Sequence, residues 1–220
     1  MSRPTTHLRL LACAAACLVA LTGCGIVPKK EPLSIYAPEA KVQADPAWPA
    51  VRWQLQIPRP HAPELLDSPR IVVRPTPGEM QVYHGAIWAE PVPDLVQDAV
   101  LHAFEDSGRI EGVARRGTGV SGDYELLLDL RRFESDYNGG GAPNAEVELT
   151  AKLIANRTNQ VIATRTLKQS VPAASTSVGD VSRAFGGALS TAVQELVGWT
   201  LTEGQKYDAA HPAPTAAARG

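Results

Sequence analysis

Apolar and polar residues alternate most regularly in the second half of the chain. The alternation runs from Tyr124 to Phe133, from Glu146 to Asn156 and from Val161 to Ser170. A period of two residues is typical of a β-strand that buries one face. Glycines at 139–141 and the polar run 156–159 separate these segments. The pattern therefore predicts three consecutive antiparallel strands, a meander, as the most regular part of the fold.

Shorter strands are predicted in the first half of the chain. Val51–Ile57 alternates strictly between apolar and polar residues and ends at Pro58. Two further apolar segments, Ile71–Arg74 and Met80–Tyr83, flank a stretch rich in proline and glycine. Proline and glycine favour turns, so these two segments are predicted to be short strands joined by a turn.

Two segments have the periodicity of amphipathic helices. The first follows Pro91 and ends at Gly108, with its apolar residues on one face. The second begins at Ser177, an N-cap residue followed three positions later by Asp180, and its apolar face extends to Trp199. Together with the strands, these helices predict an α+β fold. We expect a single domain in which two amphipathic helices cover a mainly antiparallel sheet.

The N-terminus has the layout of a bacterial export signal. Residues 1–23 begin with basic residues and contain an apolar run, Leu10–Leu21, that is too short to span a membrane. The run ends in Leu21-Thr22-Gly23-Cys24, which resembles a lipobox, where a cysteine receives a diacylglyceryl group. We predict removal of residues 1–23 as a signal peptide and lipidation of Cys24. The other two cysteines leave with the signal peptide.

The segments on either side of the predicted domain lack regular periodicity. Residues 24–50 contain five prolines and are predicted to be a tether, which would span about 80 Å in polyproline II form. Deleting part of this segment is expected to leave stability nearly unchanged. The folded domain is predicted at residues 51–203. Residues 204–220 are predicted to be a disordered tail.

Composition and charge indicate one core and argue against a nucleic-acid partner and a membrane-spanning helix. The 220 residues are 44% hydrophobic and 20% charged, which suits one ordinary core. Twenty-one Lys and Arg residues against 23 Asp and Glu residues give a formal charge of -2, so we expect no nucleic-acid partner. No apolar run of about 20 residues follows the signal, so we predict attachment to the membrane through the lipid anchor alone.

Candidate chemistry is sparse. The histidines have no second ligand at the spacing of a metal site, and no serine lies in a G-x-S-x-G motif. No thiol remains for a Cys–His pair once Cys24 is lipidated. We therefore predict no catalytic residue, no metal site and no cofactor, and we do not expect an enzyme. The residues considered are His61, His84, His102, His211, Ser68, Ser121 and Ser135.

The arginine pairs and tryptophans have simple structural interpretations. Residues 115–116 and 131–132 are arginine pairs that are interpreted as solvated. The glycine-rich loop 117–122 precedes a strand rather than a helix, so it is interpreted as a surface loop. Trp53, Trp88 and Trp199 fall at the edges of apolar faces, where packing in the core is favoured over the alternative of a binding patch. Trp48 is assigned to the tether, where an interfacial position is the alternative.

Several short motifs also occur in a characteristic order. They are Trp53-Gln54-Leu55, Pro58-Arg59-Pro60, Leu65–Arg74, Tyr83–Pro91, Asp123–Leu126, Phe133-Glu134 and Leu196–Trp199. Together with the lipobox, they resemble the ABC-type transport auxiliary lipoprotein family, the paraquat-inducible protein C-like lipoproteins, over about Val51 to Leu201. Ile87 and Glu90 depart from the arginine and aspartate that are usual in this family.

The resemblance implies a non-catalytic lipoprotein that accompanies an ABC transporter. Such transporters have a periplasmic MCE-domain protein and move phospholipids or other hydrophobic molecules between the inner and outer membranes. The implied partners are the MCE-domain protein and the membrane. Copies of this chain, forming a homo-oligomer, are a further candidate partner. Gly25 stands where an aspartate would signal retention in the inner membrane, so we expect an outer-membrane anchor with the domain facing the periplasm.

Two other functions are weighed against this one. The first alternative is a lipoprotein of cell-envelope assembly or secretion that acts as a protein-binding module. Neighbouring genes for an ATPase, a permease and an MCE protein would favour the transport function over it. The second alternative, a periplasmic hydrolase, has no catalytic motif in its favour.

Overall fold

The chain forms eight strands and two helices over the residues that the structure describes. The structure is a computed structural model and describes residues 32–119 and 121–212. In chain order the elements are β1 (Ser34–Tyr36), β2 (Val51–Ile57), β3 (Arg70–Arg74), β4 (Gln81–Trp88), α1 (Val92–Ser107), β5 (Ile110–Arg115), β6 (Tyr124–Asp136), β7 (Asn144–Ala155), β8 (Gln160–Pro172) and α2 (Val178–Ala210).

Strand β6 organises the sheet. One of its edges pairs antiparallel with β7 along almost its whole length. Its other edge pairs in parallel with β2 near the start and with β3 near the end, and His61 bridges to Asp129 between them. The chain leaving β2 thus continues along the same edge into β3, and both strands keep one direction. The sheet is therefore mixed, and the prediction of a mainly antiparallel sheet is wrong for its first half.

Two strands, β1 and β5, have no counterpart in the sequence prediction. β1 is three residues long, too short to show a period, and it pairs in parallel with β4. β5 pairs in parallel with β2, and Gly112 interrupts its alternation. A Cβ atom at Gly112 would lie 3.4 Å from Cγ of Gln54 on β2. Parallel pairing between distant segments leaves no turn signal in the sequence, so both strands went unpredicted.

The predicted meander is confirmed. β6, β7 and β8 pair antiparallel in chain order. A bulge in β6 between Leu130 and Arg132 shifts its alternation by one residue, so Leu130 and Phe133 are both fully buried. After the bulge, Phe133 stacks on Phe185 of α2, and Glu134 points to the face of the sheet opposite the helices.

The helix starts also agree with the sequence prediction. α1 follows Pro91 and ends at Gly108, which has a φ of 59°, a conformation that glycine adopts without strain. α2 begins after Ser177, whose Oγ accepts a hydrogen bond from the backbone N–H of Asp180 at 3.2 Å. The three side chains that converge on the Asp180 carboxylate, led by Ser175 and Ser177 and followed by Arg183, lower its pKa.

The end of α2 corrects the predicted disordered tail. The helix continues through residues 204–210 to Ala210. The Tyr124 hydroxyl of β6 donates a hydrogen bond to Oδ1 of Asp208 at 2.6 Å, and the Tyr124 and Tyr207 rings meet edge to face. Burial, followed by the nearby Asp208 carboxylate, raises the pKa of Tyr124. These contacts with the sheet stabilise the end of α2, residues 204–210, which has no long apolar face of its own.

The start of the domain also differs from the prediction at Val51. The compact unit of the fold begins at Leu33, and β1 belongs to the sheet. The predicted tether at residues 24–50 is therefore corrected for residues 33–50, which pack on the domain. The physical reason is that β1 and the segment after it gain backbone pairing and side-chain burial from elements far along the chain.

Candidate functional site

The segment between β1 and β2 lies across both helices. We call residues 37–49 the strap. Pro38 is buried, and Ala40, Val42 and Trp48 pack against the core. The backbone N–H of Lys41 donates a hydrogen bond to Oγ of Ser190 in α2 at 2.8 Å. The strap thereby joins the N-terminal part of the chain to the helical layer.

Two glycines of α2 allow the strap to approach the helix closely. A Cβ atom at Gly186 would lie 3.0 Å from the carbonyl oxygen of Glu39, and one at Gly198 would overlap the Trp48 indole. Glycine inside a helix costs about 1 kcal/mol relative to alanine. The close contacts with the strap provide a structural reason for both glycines.

An open groove of about 510 Å³ lies where the strap meets the second half of α2. Trp48 and Trp199 line this groove together with Arg165 and Glu195, whose side chains pair at 3.3 Å. Tryptophan and arginine are enriched at the energetic centres of protein interfaces. These two residue types are therefore present at the groove, beside the acidic residues Asp45, Glu195 and Glu203.

A second groove, of about 320 Å³, separates the strap from α1. Its wall includes Glu90, Asp98 and His102 among apolar residues. Burial raises the pKa of Glu90, and the carboxylates of Asp98 and Asp94 raise it further. Arg115 of β5 pairs with Asp98, so part of this acidic charge is neutralised within the domain.

The sheet face opposite the helices carries an ion-pair network. Arg132 contacts Glu134 at 2.7 Å, Asp136 at 2.9 Å and Glu146 at 3.4 Å, and Arg74 contacts Glu134 at 2.9 Å. Glu134 is only 3% exposed, so the two guanidinium groups compensate for the water that its carboxylate loses. Each of the three carboxylates in the network thus has at least one guanidinium partner within the domain.

The arginine pairs interpreted as solvated are largely exposed and also form ion pairs, since the side chains of Arg115, Arg116 and Arg131 are 44%, 62% and 51% exposed. Besides Arg132, Arg131 contacts Asp129 at 3.3 Å, and Arg116 contacts Glu125 at 3.0 Å. The alternation of strand residues suggested that only one arginine of each pair reaches a given face, but it gave no information about acidic partners on neighbouring strands.

Residues of the family-like motifs hold the domain together. Arg59 bridges two segments, because its guanidinium donates to Oδ1 of Asp94 in α1 and to Oδ1 of Asp67, each at 2.6 Å. The hydrogen bonds from Arg59 lower the pKa of Asp67. Trp88 is fully buried and meets the rings of Phe133 and Phe185 edge to face. These motifs thus specify the fold.

The histidines singled out in the sequence are dispersed. His61 contacts Asp129 at 3.2 Å, His211 stacks on Tyr207, and His102 borders the groove beside α1. Across residues 32–119 and 121–212, no group of three or more His, Cys, Asp or Glu residues is placed to hold a metal ion. Neither helix in these ranges is both long and apolar enough to cross a membrane. The predicted signal peptide and lipidation site, Cys24, lie outside the described residues.

Sequence reasoning missed the strap and the grooves beside it. Trp53 and Trp88 are buried in the core, as expected, whereas Trp48 packs on α2 instead of belonging to a free tether. The available signal was a pair of glycines in α2, because Gly186 and Gly198 interrupt an otherwise good helix pattern. Such glycines indicate close packing against a helix, but they do not identify the partner.

Comparison with known proteins agrees with this domain. The family model of the ABC-type transport auxiliary lipoprotein component matches residues 33–197. The crystal structure of protein XCC0632 from Xanthomonas campestris is similar, with 50% sequence identity and a TM-score of 0.77. That match covers 80% of this chain and 99% of the other.

Two more distant proteins are also similar. A solved structure of an uncharacterized protein has a TM-score of 0.59 at 11% identity, over 76% of this chain and 97% of the other, and so shares the fold. An uncharacterized protein of Bradyrhizobium diazoefficiens is 27% identical over 181 residues, or 82% of this chain. This chain spans only 47% of that relative.

The family match begins at the same residue as the compact unit that contains the sheet. This residue is Leu33, and the match includes β1 and the strap. The matched region covers most of the chain and ends within α2. The chain therefore belongs to the family of ABC-type transport auxiliary lipoprotein components.

Proposed function

We propose that this protein is a lipid-anchored, non-catalytic auxiliary component of an MCE-type ABC transport system. In this proposal Cys24 carries the acyl chains, the anchor lies in the outer membrane, and the domain faces the periplasm. The system moves phospholipid or other hydrophobic molecules between the two membranes. The observation that carries the proposal is the family match over residues 33–197.

The early start of the domain supports a role close to the membrane. Leu33 follows Cys24 by nine residues, which span at most about 30 Å when fully extended. This reach is much shorter than the 80 Å or so estimated for a tether of residues 24–50. In the proposed function, the domain therefore works near its own membrane and receives the far end of the transport complex there.

Lipidation is tested by replacing Cys24 with serine. Serine has no thiolate to accept the diacylglyceryl group, so we expect the Cys24→Ser chain to remain unlipidated and uncleaved by the lipoprotein peptidase. Mass spectrometry of the purified wild-type and variant proteins measures both properties. An unmodified Cys24 in the wild-type protein, or a mature N-terminus elsewhere, would contradict the lipid anchor.

Partner binding is tested by capturing the MCE-domain protein from a membrane extract with the lipidated full chain. We expect capture with and without a chelator, because the proposed contact uses no metal. Trp199→Ala in the groove beside the strap is expected to weaken capture at least about tenfold. Thr191→Ala, an exposed position of the same helix, is the matched control and is expected to have little effect. Capture of secretion or peptidoglycan proteins instead would favour a role in envelope assembly.

The proposal also includes association between copies of this chain. β8 pairs only with β7, and β5 pairs only with β2, among the described residues. The outer edges of these strands present backbone groups that a second copy can pair with. We expect the lipidated protein in mild detergent to sediment as a homo-oligomer. A monomer at all concentrations would contradict this part of the proposal.

A further inference from the structure

Exposed apolar side chains are concentrated at one edge of the sheet. In the described part of the chain, six large hydrophobic residues are exposed, and four of them belong to β1, to β4 or to the residues directly before these strands. The four, here called the apolar edge, are Leu33, Ile35, Met80 and Val82, with exposed fractions of 56%, 65%, 39% and 40%. A cluster of this kind at one place on a soluble domain marks an interaction surface.

Strand pairing places the apolar edge on the face of the sheet opposite the helices. Ile35 lies beside Ile87, whose neighbour Trp88 points to the helix side. Val82 lies beside Val72, which in turn lies beside Glu134 on the ion-pair face. Ile35 and Val82 therefore share the helix-free face. The ion pairs of Arg132 with Glu134, Asp136 and Glu146 also lie on this face, so charged side chains border the apolar edge on the β6 side.

The chain order connects this patch to the proposed anchor through a short segment. Leu33 is its first residue, and the acyl chains on Cys24 are at most about 30 Å away along an extended chain. Of all parts of the domain, the apolar edge is thus the one attached most directly to the membrane. The strap and the helices lie on the opposite side of the sheet.

The short segment before the patch has a positive net charge. Lys29, Lys30 and Glu31 stand between Cys24 and Leu33 in the sequence, and the exposed Arg70 lies beside Ile87 on the helix-free face. Basic residues next to a bilayer are attracted to anionic headgroups, and apolar side chains enter the boundary between headgroups and acyl chains. A lipid surface satisfies both features of this region.

We propose that the apolar edge rests on the surface of the bilayer that holds the Cys24 anchor. This inference rests on the proposed lipidation of Cys24. The contact orients the domain, so that the groove at Trp48 and Trp199, on the helix side, faces away from the lipid. The anchor supplies attachment, and the apolar edge supplies a defined orientation for the partner protein.

The test uses the lipidated full chain on vesicles of phosphatidylethanolamine and phosphatidylglycerol. Lipidation consumes the Cys24 thiol, so a cysteine introduced by Ile35→Cys or Val82→Cys is the single site for a fluorescent NBD label. We expect labels at both positions to shift to the blue and to be quenched severalfold more by spin-labelled lipid than a label introduced by Val161→Cys. Val161 is the control because it is 54% exposed at the start of β8, far from β1 in the strand order.

A charge variant provides a second measurement. Ile35→Asp combined with Val82→Asp changes two exposed side chains, so the domain is expected to stay folded. In this variant a label introduced by Met80→Cys is expected to lose its quenching by lipid, whereas Val161→Asp leaves that quenching unchanged.

Different outcomes separate the two proposals. A chain with unmodified Cys24 that does not bind vesicles contradicts the lipid anchor itself. A lipidated, vesicle-bound chain whose labels at positions 35 and 82 show no quenching by lipid overturns the docking proposal alone. The same holds if these labels are shielded from iodide but not quenched by lipid, because a protein surface then covers the apolar edge.

Discussion

Replacing strap residues 37–48 by an equal length of glycine and serine is expected to lower the free energy of unfolding by about 3 kcal/mol. Burial of a large apolar side chain contributes about 1.5–3 kcal/mol when it is complete. The strap buries Pro38 and partly buries Ala40, Val42 and Trp48, which together account for this loss. Urea unfolding followed by circular dichroism measures the change. The same variant is expected to lose the groove at Trp48 and with it the capture of the partner.

The matched control changes strap residues that are exposed. Gln43→Ser combined with Ala44→Ser is expected to change the free energy of unfolding by less than about 0.5 kcal/mol. An unchanged stability of the glycine and serine variant would show that the strap is not part of the fold. The domain would then begin at Val51, and the tether predicted from the prolines would be restored.

Gly204→Ala is expected to destabilise the domain by about 2 kcal/mol, although alanine is the better helix former. A Cβ atom at position 204 would lie 2.5 Å from Cζ2 of Trp53. Trp53 is buried and meets the Tyr124 ring edge to face at 4.9 Å, so it has little space to retreat. The Tyr124 hydroxyl oxygen also lies 3.4 Å from the carbonyl oxygen of Gly204, so the helix backbone is close to the sheet here. Overpacking therefore outweighs the gain in helix propensity.

The same substitution elsewhere in α2 provides the control. A Cβ atom at Gly187 would lie 3.7 Å from Cγ1 of Val171, an ordinary contact. Gly187→Ala is therefore expected to stabilise the domain by up to about 1 kcal/mol. Urea unfolding of both variants, followed by tryptophan fluorescence, measures whether each substitution raises or lowers the free energy of unfolding. Stabilisation by Gly204→Ala as well would contradict the packing of Trp53 on α2.

Local sequence patterns were sufficient to predict strand pairing and a helix start where the interacting segments are close in sequence. β6, β7 and β8 follow one another through short connections, and each buries alternate residues, so period-two alternation predicted their pairing. The start of α2 was predictable for the same reason, because Ser177 caps the helix by accepting a hydrogen bond from the backbone N–H of Asp180, three residues later. The bulge at Leu130 was not predicted, since leucines occupy both faces of β6 before it.

Long-range contacts account for the errors at both ends of the domain. Lys41 in the strap bonds to Ser190, 149 residues later, and β1 is a strand because β4 offers it an edge. Residues 204–210 are helical because Tyr124, on the central strand, holds Tyr207 and Asp208. Neither segment has a periodicity of its own that would predict these contacts.

The sequence by itself determined the meander, the beginnings of both helices and the family resemblance, and it alone supplies the prediction that Cys24 is lipidated. These features depend on neighbouring residues, whose spacing the sequence records directly. Only the tertiary structure decided the parallel strand pairs, which join β1 with β4, β2 with β5 and β3 with β6. It also decided that the strap lies on α2 and that exposed apolar residues of β1 and β4 share one edge of the sheet. The physical reason is that parallel pairing and close packing on glycine join surfaces that are formed only after distant segments of the chain have met.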